Sequence, residues 1–155
     1  MTDALKGLKP EKLWQYFGEI ANVPRPSKKE ERIRAYMRQW AESNGFTVKT
    51  DAINNMLIRV PASPGKENAP IVTLQGHLDM VCEKNSDTDH DFMKEGIKLL
   101  VDGDWVKADG TTLGADNGIG LAAAMAVADD DCVHGPLEIL CTVDEESGLT
   151  GAQQL

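Results

Sequence analysis

Residues 110–120, with the sequence GTTLGADNGIG, constrain the fold of this chain more than any other stretch. Four glycines and two polar turn-forming residues surround one carboxylate, Asp116, and such a glycine density is typical of positive φ or of a closely approached backbone. The apolar, alanine-rich run 119–128 follows without a proline and predicts a buried helix. Asp116 is therefore expected at a tight turn before that helix, where an Asp is either an N-cap or a ligand.

The composition describes an acidic globular protein. The 155 residues can form one domain with a hydrophobic core, and 41% of them are hydrophobic. A net charge of −9 without a basic cluster argues against nucleic-acid binding. No apolar run approaches the roughly 20 residues that span a bilayer, and the first residues lack a signal-peptide core, so no membrane association is expected. Three cysteines without metal-type spacing predict reduced thiols in a cytoplasmic protein.

Hydrophobic periodicity predicts an α/β fold with a mixed, partly parallel sheet flanked by helices. The first helix is expected over 10–23, and a capping box at Ser27–Glu30 is expected to open the second. Residues 82–104 are polar and acidic, which predicts a solvated loop, and residues 105–108 predict a short strand. The other strands are expected at 46–51, 56–60, 71–76 and 137–143.

Polar clusters follow the two interior strands. His77 and Asp79 come after the strand at 71–76, and Glu145 and Glu146 come after the strand at 137–143. Ligands collect at the carboxyl ends of parallel strands, and an imidazole with carboxylates from separate elements suits zinc or a similar divalent ion. Each cluster alone is also compatible with a structural role, as a hydrogen-bonded histidine or a solvated helix start.

The motifs GHLDMV at 76–81, GTTLGADNGIG at 110–120 and EESG at 145–148 resemble those of the M20 family of zinc-dependent peptidases. The HLDMV form and the motif HGPLE at 134–138 resemble the aminoacyl-histidine dipeptidase branch of that family. The resemblance extends over nearly the whole chain.

The resemblance implies a role for each site residue. His77 would bind one zinc ion, Asp116 would bridge two ions, and Glu146 would bind the second ion. Glu145 would act as the general base, and Asp79 would orient His77. The Asp116–Asn117 peptide is expected to be cis. Cobalt or manganese could replace zinc, because the three metals share these donors.

The implied activity is hydrolysis of small peptides, of the Xaa-His dipeptide type. Two alternatives stay open: an M20-type N-acyl amino acid deacylase or carboxypeptidase, and a non-catalytic binding domain. The resemblance also implies that residues 1–155 are the N-terminal portion of a catalytic domain, with further metal ligands and a lid and dimerisation domain beyond Leu155. We expect this portion to be inactive alone and the full-length protein to be a homodimer.

Overall fold

Three helices and six strands form the described part of the computed structural model, residues 3–155. Met1 and Thr2, which the predicted domain range includes, lie outside the described residues. The helices are α1 (Glu11–Ala21), α2 (Glu31–Ser43) and α3 (Ala115–Ala128). The strands are β1 (Thr47–Thr50), β2 (Met56–Val60), β3 (Val72–His77), β4 (Leu99–Asp102), β5 (Trp105–Ala108) and β6 (Leu137–Thr142), and short 3₁₀ helices lie at Asp3–Leu5 and Ala152–Gln154.

The main sheet has four strands in the order β1-β2-β6-β3. β1 pairs antiparallel with β2, and β2 pairs antiparallel with β6, whereas β3 and β6 are parallel. The prediction of a mixed, partly parallel sheet is therefore confirmed. The parallel register sets His77 opposite Thr142, so the chain leaves both strands at the same edge of the sheet.

Helix α3 lies between α1 and strand β3. Its many alanines are short enough for both neighbours to approach closely, and Ala122 and Met125 are fully buried. Helix α1 contributes Phe17 and Ile20 to the same core, as their helical spacing predicts. Within residues 3–155, none of the helices combines the length and the apolar character that a bilayer-crossing segment needs.

The predicted capping box at Ser27–Glu30 is wrong. Lys28 adopts a φ of +66°, so the chain turns there and α2 begins only at Glu31. Glu30 occupies the N-cap position without a capping hydrogen bond from its side chain. The Ser27 hydroxyl instead donates to the carboxylate of Asp79 at 2.7 Å, because that distant residue packs directly against the turn.

The predicted solvated loop over 82–104 is wrong in its last part. Leu99–Asp102 forms β4, which pairs antiparallel with the predicted strand at 105–108 through a turn at Gly103. Leu99 and the nearby Ile97 are 5% and 6% exposed, so they anchor this hairpin to the core. The acidic residues on both sides conceal this short apolar segment in the sequence.

Candidate metal centre

His77 is the last residue of β3, and its imidazole is buried. Its Nδ1 atom lies 3.1 Å from the carbonyl oxygen of Asp79 and 3.3 Å from that residue's Oδ1 atom. Its Nε2 atom faces the other way, 2.9 Å from Asp116 Oδ1 and 3.8 Å from Glu145 Oε2. The ring is thus held on one side by Asp79 and presents Nε2 to the other two carboxylates.

Asp116 stands at the turn into α3, as the glycine pattern predicts. Gly114 takes the left-handed conformation at φ +67°, and Asp116 and Asn117 keep non-helical dihedrals before the regular helix begins. The peptide between Asp116 and Asn117 is cis, as expected. The Asp116 side chain is 82% exposed although its carboxylate contacts His77, so it remains accessible to a ligand from solvent.

Asp79 is fully buried and has donors around both carboxylate oxygens. Oδ1 accepts the backbone N–H of Glu145 at 3.0 Å, and Oδ2 accepts that of Glu146 at 3.1 Å and the hydroxyl of Ser27. Burial alone would raise the pKa of Asp79, but these hydrogen bonds and the one from His77 hold it well below its usual range. Asp79 is therefore an anion that joins the β3 end to the turn after β6.

Glu145 and Glu146 lie on that turn, and each can bring a carboxylate oxygen close to His77. One ligand atom from each of the three residues falls within 4.8 Å of the others. Burial raises the pKa of Glu146, and the carboxylates of Glu145 and Asp116 raise it further, while His77 opposes them. Several like charges thus converge on one imidazole.

The pKa of His77 reflects this surplus of negative charge. Burial lowers it, but the hydrogen bonds to Asp79 and Asp116 and the charge of Glu145 raise it to about 9. An imidazole and several carboxylates are the donor set that zinc takes, and a divalent cation would neutralise the same charges. The donor chemistry of the site therefore fits a metal ion.

A cavity of about 430 Å³ opens beside these side chains. His77, Asp116 and Glu145 are among the polar residues that line it, and Leu149 and Leu155 are among the apolar ones. This volume falls within the range of small-molecule sites, although most of the residues that line it are polar. The structure thus brings three of the predicted site residues, His77, Asp116 and Glu145, to one cavity.

Arg25 is a site residue that the sequence pattern did not indicate. It is 1% exposed and donates from Nη1 to the carbonyls of Leu78 and Asp79, at 3.2 and 2.9 Å, and from Nη2 to the carbonyl of Gly114. Burial lowers its pKa to about 10, and the charge of Asp79 opposes this shift. One guanidinium therefore joins the loop after β3 to the turn that carries Asp116. The only signal in the sequence is a charged residue between two prolines, Pro24 and Pro26.

Comparison with known proteins finds no matching family model. The chain is 54% identical over 149 residues to the cytosol non-specific dipeptidase of Escherichia coli (strain K12), a match over 96% of this chain and 31% of the relative. A crystal structure of aminoacylhistidine dipeptidase from Vibrio alginolyticus superposes with a TM-score of 0.94 and 51% identity, over 97% of this chain and 31% of that one. A tripeptidase from Staphylococcus aureus is 26% identical with a TM-score of 0.74, over 93% of this chain and 39% of that one. The chain thus spans about a third of the length of these relatives, and the predicted resemblance to the M20 dipeptidases is confirmed.

Proposed function

We propose that this chain, which is similar along nearly its whole length to M20 dipeptidases, carries metal ligands and the general base of a two-metal peptidase centre. The proposed reaction is hydrolysis of dipeptides, of the Xaa-His type. The observation that supports it is the convergence of carboxylates from two other stretches of chain on His77. Asp116 lies 2.9 Å from its imidazole, and Glu145 and Glu146 each have a ligand atom within 4.8 Å of it. His77, Asp116 and Glu145 also line one open cavity.

His77, Asp116 and Glu146 are the proposed metal ligands. Because Asp79 holds the Nδ1 side of the imidazole, Nε2 is the nitrogen left for a cation, and a carboxylate behind a histidine ligand fixes its tautomer. Asp116 has two oxygens and an exposed side chain, which suits an aspartate between two ions. Zinc is the proposed metal, and cobalt or manganese are compatible with the same donors.

Glu145 is the proposed general base. When bound, two divalent ions would polarise the scissile carbonyl and lower the pKa of water at the site. Glu145 lines the cavity and remains partly exposed, so it can take a proton from the attacking water and return it to the leaving amine. Asp79 stays ionised throughout, because its low pKa reflects fixed donors, and it keeps the His77 ring in place.

Two other functions compete with this proposal. An N-acyl amino acid deacylase of the same family would use the same residues, but the relatives described above are named as di- and tripeptidases. A non-catalytic binding domain would not need Glu145 beside the metal ligands, and all the proposed residues are present. Peptide hydrolysis is therefore favoured over both.

Zinc titration of the 155-residue chain tests the metal site. We expect weak binding, because the chain provides three of the ligands that the resemblance implies for a complete pair of sites. His77→Ala should remove the binding, whereas His134→Ala is the matched control, since His134 contacts the carbonyl of Gly135 and lies outside the site. Tight binding of two zinc ions, or equal binding by His77→Ala, would contradict the proposed ligand set.

A chimaera tests the reaction itself. Residues 1–155 would replace the matching segment of the Escherichia coli dipeptidase, to which they are 54% identical over 149 residues. We expect the chimaera to hydrolyse Xaa-His dipeptides in preference to N-acyl amino acids, and Glu145→Gln to abolish turnover while the metal content is kept. Preference for N-acyl substrates would favour the deacylase, and full activity of Glu145→Gln would remove Glu145 from the mechanism.

Three further properties belong to the same proposal. Residues 1–155 would form the N-terminal portion of a catalytic domain and be inactive as a separate chain. The complete enzyme would be a homodimer. It would act in the cytoplasm, in keeping with the name of the Escherichia coli relative and with the three free cysteines.

A further inference from the structure

Glu30 is a buried carboxylate that the proposed chemistry does not use. It lies at the N-terminal end of α2 and is 6% exposed, without an ion pair to any lysine or arginine among residues 3–155. Burying a carboxylate is costly unless hydrogen bonds compensate it. The hydrogen bonds of this side chain therefore show which contacts compensate its burial.

Glu30 accepts two backbone N–H groups at a single oxygen. Oε1 receives the N–H of Lys28 at 2.9 Å and the N–H of Asp144 at 3.0 Å. The first bond is local, but the second spans 114 positions of the chain. Asp144 has a φ of +48° and directly precedes Glu145, so Glu30 holds the residue at which the chain turns into the candidate site.

Asp79 binds the backbone of the next two residues in the same way. Its oxygens accept the N–H groups of Glu145 and Glu146 at 3.0 and 3.1 Å. Three successive N–H groups, from Asp144 to Glu146, are thus bound by two buried carboxylates from two other parts of the chain. These bonds fix the backbone from which the Glu145 and Glu146 side chains extend.

We propose that Glu30 is a positioning residue for the turn that carries Glu145 and Glu146, acting through its hydrogen bond to the Asp144 N–H. The importance of this turn for metal binding rests on the function proposed above. The carboxylates of Glu30, Asp79 and Asp144 also come within 4.8 Å of one another, a spacing that fits a cation. However, Glu30 Oε1 and both carboxylate oxygens of Asp79 already accept protein hydrogen bonds, which favours the positioning role.

Four variants of the 155-residue chain test this role. Glu30→Ala removes the acceptor, Glu30→Asp keeps the charge but shortens the side chain, and Glu30→Gln keeps an oxygen acceptor at the same reach. Glu31→Ala is the matched control, because Glu31 is the adjacent glutamate and is exposed. Zinc affinity is measured by competition with a chromophoric chelator, and amide hydrogen exchange of Asp144 is measured by NMR.

We expect Glu30→Ala and Glu30→Asp to weaken zinc binding by about 10–100-fold, as outer-shell substitutions do, and to accelerate exchange at Asp144. Glu30→Gln and Glu31→Ala should stay close to the unsubstituted chain in both measurements. If Glu30→Ala does not fold, Glu30→Asp decides the result.

Unchanged exchange at Asp144 in Glu30→Asp would overturn the inference, as would a Glu30→Gln variant that is as impaired as Glu30→Asp. If the unsubstituted chain binds no zinc, the proposed function fails. Exchange at Asp144 still decides the role of Glu30 in that case, because the hydrogen bond does not depend on a metal.

Discussion

Replacing Arg25 by methionine should lower the free energy of unfolding by about 3–5 kcal/mol, a loss typical of removing one partner from a buried charged contact. Arg25 is buried and donates to three carbonyl oxygens, on Leu78, Asp79 and Gly114. Each hydrogen bond from a charged donor contributes about 1.5–3 kcal/mol. Methionine no longer carries the desolvation cost of a buried cation, so the net loss is smaller than the three bonds together.

Urea denaturation followed by tryptophan fluorescence measures this loss, since the chain has three tryptophans. Arg32→Met is the matched control, because Arg32 is exposed and donates to one carbonyl, that of Met93. Its effect should stay within about 0.5 kcal/mol, as for other surface substitutions. Arg25→Lys keeps the charge but loses the planar fork, so it should fall between the two. If the unfolding free energies of Arg25→Met and Arg32→Met differ by less than about 1 kcal/mol, the hydrogen bonds of Arg25 to buried carbonyls do not stabilise the fold.

Three other expectations concern residues outside the candidate site. Burial raises the pKa of Tyr16 from about 10 to about 12. The stability that this neutral phenol contributes is therefore complete below pH 10 and is lost as the pH rises towards 12. In urea titrations over that range, the unfolding free energy of Tyr16→Phe should fall less than that of the unsubstituted chain. Cys132 is exposed, whereas Cys141 is buried and burial raises its pKa to about 12. A disulfide-exchange reagent at pH 8 should therefore label Cys132 first and Cys141 only on unfolding. Cys132→Ser should remove the fast phase of labelling. Gly151→Ala would place a Cβ atom 2.3 Å from the carbonyl oxygen of Val143. Because such a clash acts like an overpacked core, the unfolding free energy should fall by about 1–3 kcal/mol. An unchanged melting temperature would contradict this expectation.

The elements with strong periodicity could be predicted from the sequence. The alanine-rich helix after Asp116 is present as α3. The strand before His77 is present as β3, but its prediction as an interior strand is wrong, because β3 lies at the edge of the sheet and Val72 is 50% exposed. Because β3 and β6 are parallel neighbours, the polar residues after them had to meet at one edge. The convergence of the two clusters was therefore predictable once the parallel pairing was assumed.

The residues that support the site could not be predicted in the same way. Arg25 and Ser27 contact groups more than 50 positions away, and most of those groups are backbone carbonyls, which leave no pattern in the sequence. Ser27 and Glu30 have the spacing of a capping box, but their side chains bind distant groups instead. The Ser27 hydroxyl donates to the Asp79 carboxylate, and Glu30 accepts the backbone N–H of Asp144. The strand at Leu99–Asp102 was missed because only its pairing with the next strand defines it.

The saturated carboxylate of Asp79 has a mechanical consequence. It is tied at once to an imidazole, to a hydroxyl and to two consecutive peptide groups, so three distant stretches of chain share a single rigid joint. The position of His77 is therefore linked through Asp79 to the backbone of Glu145 and Glu146. Asp79→Asn would break that joint while leaving every proposed metal donor in the chain.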